Sequence, residues 1–137
     1  MSYGAFLLVM SQLIGNRKAR VVIQGNVIFF EKSKKNHWTL YTKVYSGDGY
    51  LPSSVRSCVS SNGVLRWQRS GAYLKLDPIS HSVYLFEEIE IEEGKYIPFK
   101  HRLSDFSTVA AEWREILREF AESDCFSIPK KLEKLVF

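Results

Sequence analysis

The sequence predicts an α+β domain. A strongly twisted, mainly antiparallel sheet of five strands carries packed helices, in the order helix–strand–strand–strand–helix–strand–strand–helix. Three observations lead there. Five segments rich in β-branched and aromatic residues read as strands, the longer ones alternating with period two. One segment near the C-terminus repeats apolar residues at helical spacing. A chain of 137 residues, 45% hydrophobic and 25% charged, is one domain with enough material for a real core. The same figures exclude a disordered chain, a disulfide-stapled miniprotein and two full domains.

Residues 3–14 predict a short helix, with Phe6, Met10 and Leu13 on one stripe and Gly15-Asn16 as its stop. An apolar strand competes for the same run. Three strands follow at 19–24, 27–31 and 37–45, separated by a Gly25-Asn26 turn and a polar loop over 32–36. In the third, Trp38, Leu40, Thr42 and Val44 alternate with Thr39, Tyr41, Lys43 and Tyr45, so both faces carry bulk. Pro52 opens a weak helix in which Val55, Cys58, Val59 and Leu65 form an apolar stripe among serines, which are poor helix formers.

Gly71 closes that segment. Residues 72–76 read as a strand, Asp77-Pro78 as a turn, and 82–92 as a longer strand. Val83, Leu85, Ile89 and Ile91 take one side of it; Tyr84, Phe86, Glu88, Glu90 and Glu92 take the other. Leu103, Phe106, Ala110, Trp113, Leu117 and Phe120 then recur at alternating steps of three and four, one face of an amphipathic helix. Glu115 and Arg118 can pair at i,i+3 on its wet side. The tail from 123 docks as a short turn or stays loose.

Charge is unevenly spread along the chain. Residues 1–70 hold ten Lys/Arg against two acids, and residues 71–137 nine against thirteen, giving +8 and −4 around a net +4. The basic half concentrates in Arg17, Lys18, Arg20, Lys32, Lys34 and Lys35. Cys58 and Cys125 lie far apart without a CxxC, which fits ordinary thiols in a reducing cytoplasm, a single disulfide staying open. No signal-peptide pattern and no apolar run of membrane-spanning length is present, so a cytoplasmic protein with no membrane partner is expected.

Catalytic constellations are not evident. His37, His81 and His101 are isolated, reading as a strand-edge, a turn and a loop residue, and offer no metal site. Asp77 and the 87–93 glutamate run read as solvated strand carboxylates rather than an acid/base pair. Phosphate-binding glycine loops and nucleophile elbows are missing. Neither an enzyme nor a cofactor is expected. The six basic residues flank strands bearing Phe29, Phe30, Trp38 and Tyr41, a composition that also suits a small nucleic-acid or phospholipid-binding sheet. RNP-like motifs are absent, and a pleckstrin-like barrel would need seven strands against the five counted.

The stretch Leu65-Arg-Trp-Gln-Arg-Ser-Gly-Ala-Tyr-Leu-Lys-Leu-Asp77, followed by Val83-Tyr-Leu-Phe86 and the helix through Leu103, Phe106, Trp113 and Leu117, resembles the class I type III secretion chaperones over residues 3–122. The resemblance implies a non-enzymatic chaperone that holds the non-globular N-terminal segment of a secreted effector or gatekeeper protein in extended form. Apolar patches and a strand edge would do the holding. It implies client contacts at Phe6, Leu7, Met10, Ile28, Phe30, Trp38, Leu40 and Tyr41. Dimer contacts would fall at Val55, Cys58, Val59, Val64, Leu65, Trp67 and Tyr73. Chaperones of this family are typically acidic and their middle helix leucine-rich. This chain is basic and serine-rich there, which widens the expected partners. They become a second copy, a second small acidic chaperone matched by charge, or RNA polymerase components in a regulatory role.

Overall fold

In the computed structural model of the chain, residues 1–62, 71–92 and 94–136 are described, with side chains for 1–60, 71–92 and 94–123. Helix α1 spans Tyr3–Asn16. The Ser2 hydroxyl accepts from the Ala5 N–H at 3.1 Å to cap its start. Arg17, left-handed at φ 60°, ends it by donating its N–H to the Leu13 carbonyl. Phe6, Val9 and Leu13 are buried, so the predicted stripe is right in kind, with Val9 at its centre and Met10 on its margin.

Strands β1 (Lys18–Ile23), β2 (Asn26–Lys34) and β3 (His37–Ser46) form a meander. The first turn is Gln24-Gly25, both at positive φ (51° and 79°), one residue earlier than the expected Gly25-Asn26. Two left-handed residues twist the chain as the strands require, and Asn26 is left to pair with Ile23. The loop expected over 32–36 is mostly strand. A register shift between Lys32 and Lys34 carries β2 on to a turn at Lys35-Asn36. Arg17 stabilises this irregular stretch from outside the strand: its carbonyl accepts from the Lys32 N–H, and its guanidinium donates to the carbonyls of Lys32 and Ser33.

Among the described residues the serine-rich segment holds a short helix, α2 (Ser53–Ser57), running into a π-helical turn, Cys58–Asn62. The Ser60 hydroxyl donates back to the Arg56 carbonyl, the local competition that makes serine a weak helix former. Strands β4 (Ala72–Asp77) and β5 (Ser82–Glu90) complete an antiparallel sheet of order β1-β2-β3-β5-β4, so β1 and β4 are its edges. Gly47 joins β3 to this hairpin, its N–H donating to the His81 carbonyl at 2.9 Å. A Cβ there would stand 2.1 Å from the Tyr50 carbonyl oxygen, so only glycine fits.

Helix α3 spans Tyr96–Val136. It begins a full turn and more before Leu103, with Pro98 in its first turn, where a missing N–H costs nothing. His101, expected in a loop, is therefore helical, and the tail, expected to dock as a short turn or stay loose, continues the helix. Leu103, Phe106, Ala110, Trp113 and Leu117 are buried as predicted, but Phe120 is 39% exposed. Glu115 and Arg118 pair as predicted, and Glu122 joins them one turn on.

The inner sheet face meets α1 and α3. Ala19, Phe30, Leu40, Glu87 and Ala72 form one transverse row on it, and Ile28, Trp38, Val44, Leu74, Val83, Leu85 and Ile89 fill the rest. Phe99, from the first turn of α3, is the hub: its ring lies 5.4 Å from Phe6, 5.6 Å from Phe30 and 5.8 Å from Trp38. Two polar points interrupt this face. The Thr42 hydroxyl donates to the Val27 carbonyl at 2.7 Å and accepts from Arg114 at 3.1 Å. Glu87 is 4% exposed, which overturns its reading as a solvated carboxylate, whereas Glu88 and Glu90 are exposed as expected. The odd positions of β5 face inward, and Glu87 lies among them; Arg102 of α3 answers it at 3.4 Å.

Candidate functional site: an apolar groove on α1 and an aromatic row behind it

Helix α1 contains no charged residue, and Tyr3, Leu7, Leu8 and Ile14 stand 49–70% exposed on it. Tyr3, Leu7 and Ile14 share one face and Leu8 lies well away from it; large apolar side chains gathered on an exposed helix face are a mark of a binding surface. Beside them runs a groove of about 190 Å³ lined by Tyr3, Phe6, Leu7, Met10, Leu13 and Ile14 of α1, with Lys32, Trp38 and Gly94 on its other wall. Phe6, Leu13 and Trp38 are fixed as its floor by the Phe99 cluster, and the Trp38 indole N–H donates to the Ile91 carbonyl. Next to α1, β1 is an edge strand that among the described residues pairs with β2 alone, leaving its other side for an added strand.

The eight residues expected to hold a client divide sharply. Leu7 is exposed and Met10 half-buried, and both line the groove. Phe6 and Trp38 border it, yet are only 2% and 3% exposed. Ile28, Phe30 and Leu40 face the helices and are buried, a correction of the expectation: their even positions belong to the inner face, and their area is spent on the core. Tyr41 points the other way, onto the outer face. Tyr3 and Ile14 line the groove as well, outside the expected set. The absence of any charge over the whole of α1 was the available signal.

On the outer face Phe29, Tyr41, Phe86 and Tyr73 are direct cross-strand partners over β2, β3, β5 and β4. Their rings stack in a continuous row, with centroids 5.1, 5.2 and 5.7 Å apart and planes within 16° of parallel. The Lys75 ammonium lies over Phe86 and Tyr73 at 5.1 and 5.6 Å, and Lys43 over Tyr84 at 5.8 Å. A shallow pocket of about 400 Å³ opens along this row. The Tyr41 hydroxyl donates to Glu31 at 3.2 Å. Burial, and then the Glu31 charge, push its pKa above the ordinary tyrosine value.

Of the expected dimer contacts, Val55, Cys58 and Val59 are buried within the chain's own core, which corrects that expectation for this fold unit. The short α2 turns its apolar side inward, and the Ser54 hydroxyl ties it to the Phe120 carbonyl of α3. Val64, Leu65 and Trp67 lie outside the described residues. Tyr73 is half-buried in the aromatic row. Of the basic patch, Arg17, Lys18, Lys32, Lys34 and Lys35 gather at one corner, where β1 begins and β2 ends. Arg20 stands exposed opposite Phe29. Lys18 faces Glu31 at 3.7 Å, and His37, on the first residue of β3, faces Glu90 at 3.5 Å. Among the described residues no His/Cys/Asp/Glu group of metal-binding geometry occurs.

No protein-family model and no curated protein matches the chain. Solved structures do match. The ExsC–ExsE complex is similar with a TM-score of 0.60 at 14% identity, covering 85% of this chain and 97% of that one. The HopA1–SchA chaperone–effector complex is similar at 0.57 and 12%, covering 81% and 93%. The ExoT–SpcS complex from Pseudomonas aeruginosa is similar at 0.51 and 11%, covering 82% and 98%. The chain has a class I type III secretion chaperone-like fold.

Proposed function

We propose that the chain is a type III secretion chaperone of the bacterial cytoplasm. It binds, without turnover, the non-globular N-terminal segment of a secreted protein. The observation that carries this reading is the uncharged α1, whose exposed Tyr3, Leu7 and Ile14 border an apolar groove. The groove would take alternate apolar side chains of an extended client, and the β1 edge would offer backbone pairing to a further stretch of the same segment. Ordering such a segment costs about 2–5 kcal/mol, so a contact running along both α1 and β1 is required to offset it. The likeness to a chaperone–effector complex supports the same reading.

The chaperone acts as a dimer, with a second copy or with a small acidic sister. Its aromatic row around Tyr73 is the surface available for that, because Val55, Cys58 and Val59 are already committed to the core.

The test is a tagged pull-down from the native bacterium, with co-purifying proteins identified by mass spectrometry and a Leu7→Glu/Met10→Glu variant run in parallel. Recovery of a secreted protein by the wild type, lost in the variant and lost on deleting that protein's N-terminal segment, is the expected result. Recovery of RNA polymerase subunits or nucleic acid, indifferent to the variant, would sink the chaperone reading in favour of a regulatory one.

A further inference from the structure

The groove on α1 ends in a fixed cationic corner. Ile14 closes the groove at the C-terminal end of the helix, and Arg17, three residues on, is locked by the three hydrogen bonds that join it to Lys32 and Ser33. Lys32 forms the groove wall, and Lys34 and Lys35 follow it, exposed, into the β2–β3 turn. The Ser33 hydroxyl donates to the His37 carbonyl, which holds the turn closed. Glu31 is engaged by Lys18 and Tyr41 and Glu90 by His37, while Glu92 stands exposed next to Ile91, which pairs with Asn36 of the turn. Lys34 and Lys35 have no ion pair among the described residues. An uncharged apolar track thus runs directly into a set of positive charges held by backbone geometry.

We propose that the client segment has a matching two-part chemistry: a short extended apolar stretch followed, at the corner, by a block of acidic residues. This deepens the chaperone reading and rests on it. The track from Tyr3 to Ile14 is about 17 Å long at 1.5 Å per helical residue. An extended chain covers that with about five residues at roughly 3.3 Å each. The apolar stretch supplies affinity through burial. The acidic block sets the direction in which the segment lies and rejects basic competitors, since like charges brought together at a fixed corner repel.

The test uses three synthetic labelled peptides: five alternating Leu/Ser positions followed by four aspartates, four asparagines or four lysines, each also made with the block at the opposite end. Binding to the full chain is read by fluorescence anisotropy. At about 50 mM salt the aspartate peptide of one polarity should bind about tenfold more tightly than the asparagine peptide, and the lysine peptide more weakly than either. The advantage should shrink to about twofold or less at roughly 500 mM salt. Lys34→Glu/Lys35→Glu should erase the aspartate advantage while leaving asparagine-peptide binding intact, and Leu7→Glu should weaken all three. Equal binding by the three peptides, still lost in Leu7→Glu, would overturn the two-part client and leave the groove reading standing. Binding of polyglutamate as tight as the aspartate peptide, indifferent to Leu7→Glu, would also overturn it by showing the corner to act alone. No binding by any peptide would overturn both.

Discussion

Tyr41 and Phe86 face each other directly across β3 and β5, with ring centroids 5.2 Å apart and planes 16° from parallel. They form the centre of a four-ring row that crosses most of the sheet on the side away from the helices. Each ring has a stacked neighbour on both sides, so removing either one disturbs two contacts. Tyr41→Ala and Phe86→Ala should each lower stability by about 1–3 kcal/mol. In a double-mutant cycle read by urea denaturation, the pair should couple by about 0.5–1.5 kcal/mol. Additive effects would mean that the stacking contributes nothing beyond area.

The groove and the core beneath it separate by mutation. Leu7→Glu puts a charge on an exposed position and should change the melting temperature little, while Met10→Glu, packed against the core, should lower it; on the proposed function both should weaken binding of an extended apolar peptide. Phe6→Ala empties a site against Phe99 and Tyr96 and should cost about 3–5 kcal/mol. A Leu7→Glu protein that melts many degrees lower would show that Leu7 holds the fold and is not a contact surface.

Glu87 makes stability depend on pH in an unusual direction. Burial, opposed by the Arg102 charge and helped by Asp105, raises its folded pKa above the ordinary value of 4.5. Below pH 4.5 the carboxyl is protonated in both the folded and unfolded states and carries no penalty. As pH rises from there through the folded pKa, the unfolded state sheds the proton first, and stability is lost. Asp77 and Glu115 work in the opposite sense. Their pKa values are lowered mainly by hydrogen bonds from Ser80 and Arg118, so their contributions are lost only as pH falls below the usual carboxylate range. Glu87→Gln should therefore remove a downward slope in melting temperature as pH rises above the ordinary carboxylate range, and leave the acid limb in place. An unchanged slope would show that Glu87 is ionised and fully compensated by Arg102.

Gly47→Ala tests the joint between β3 and the β4–β5 hairpin. The added methyl meets two backbone carbonyl oxygens, those of Tyr50 and His81, and neither can move without breaking a turn. A loss on the order of 2–3 kcal/mol in chemical denaturation is expected. A neutral substitution would mean that this loop relaxes freely.

Strand positions were legible because alternation and turn residues agree: β3 starts at His37 and β4 at Ala72, as read. Which face is inner was not legible, because Trp38 and Tyr41 are both large and aromatic, and only the placement of α1 and α3 separates them. This is why the expected client set mixed Leu7 with Leu40. Glu87 was hidden for a related reason. A charge on the apolar side of β5 reads as surface until a partner from another element, Arg102, is brought to it. The early start of α3 was obscured by Pro98, although Phe99 continues the spacing of Leu103 and Phe106 one step upstream. Of the expected dimer stripe, Val55, Cys58 and Val59 turn into the core because the short α2 packs its apolar side against α3.

The strand order has a consequence in time. β3 pairs with β5, not with β4, so the edge of β3 stays unfilled until residues 47–81 have been made and the last hairpin returns to it. Phe99, which fixes Phe6 and Trp38 in the groove floor, emerges from the ribosome later still. Contacts so distant in sequence form slowly. The groove on α1 is consequently among the last features to mature, completed only after the strands that flank it.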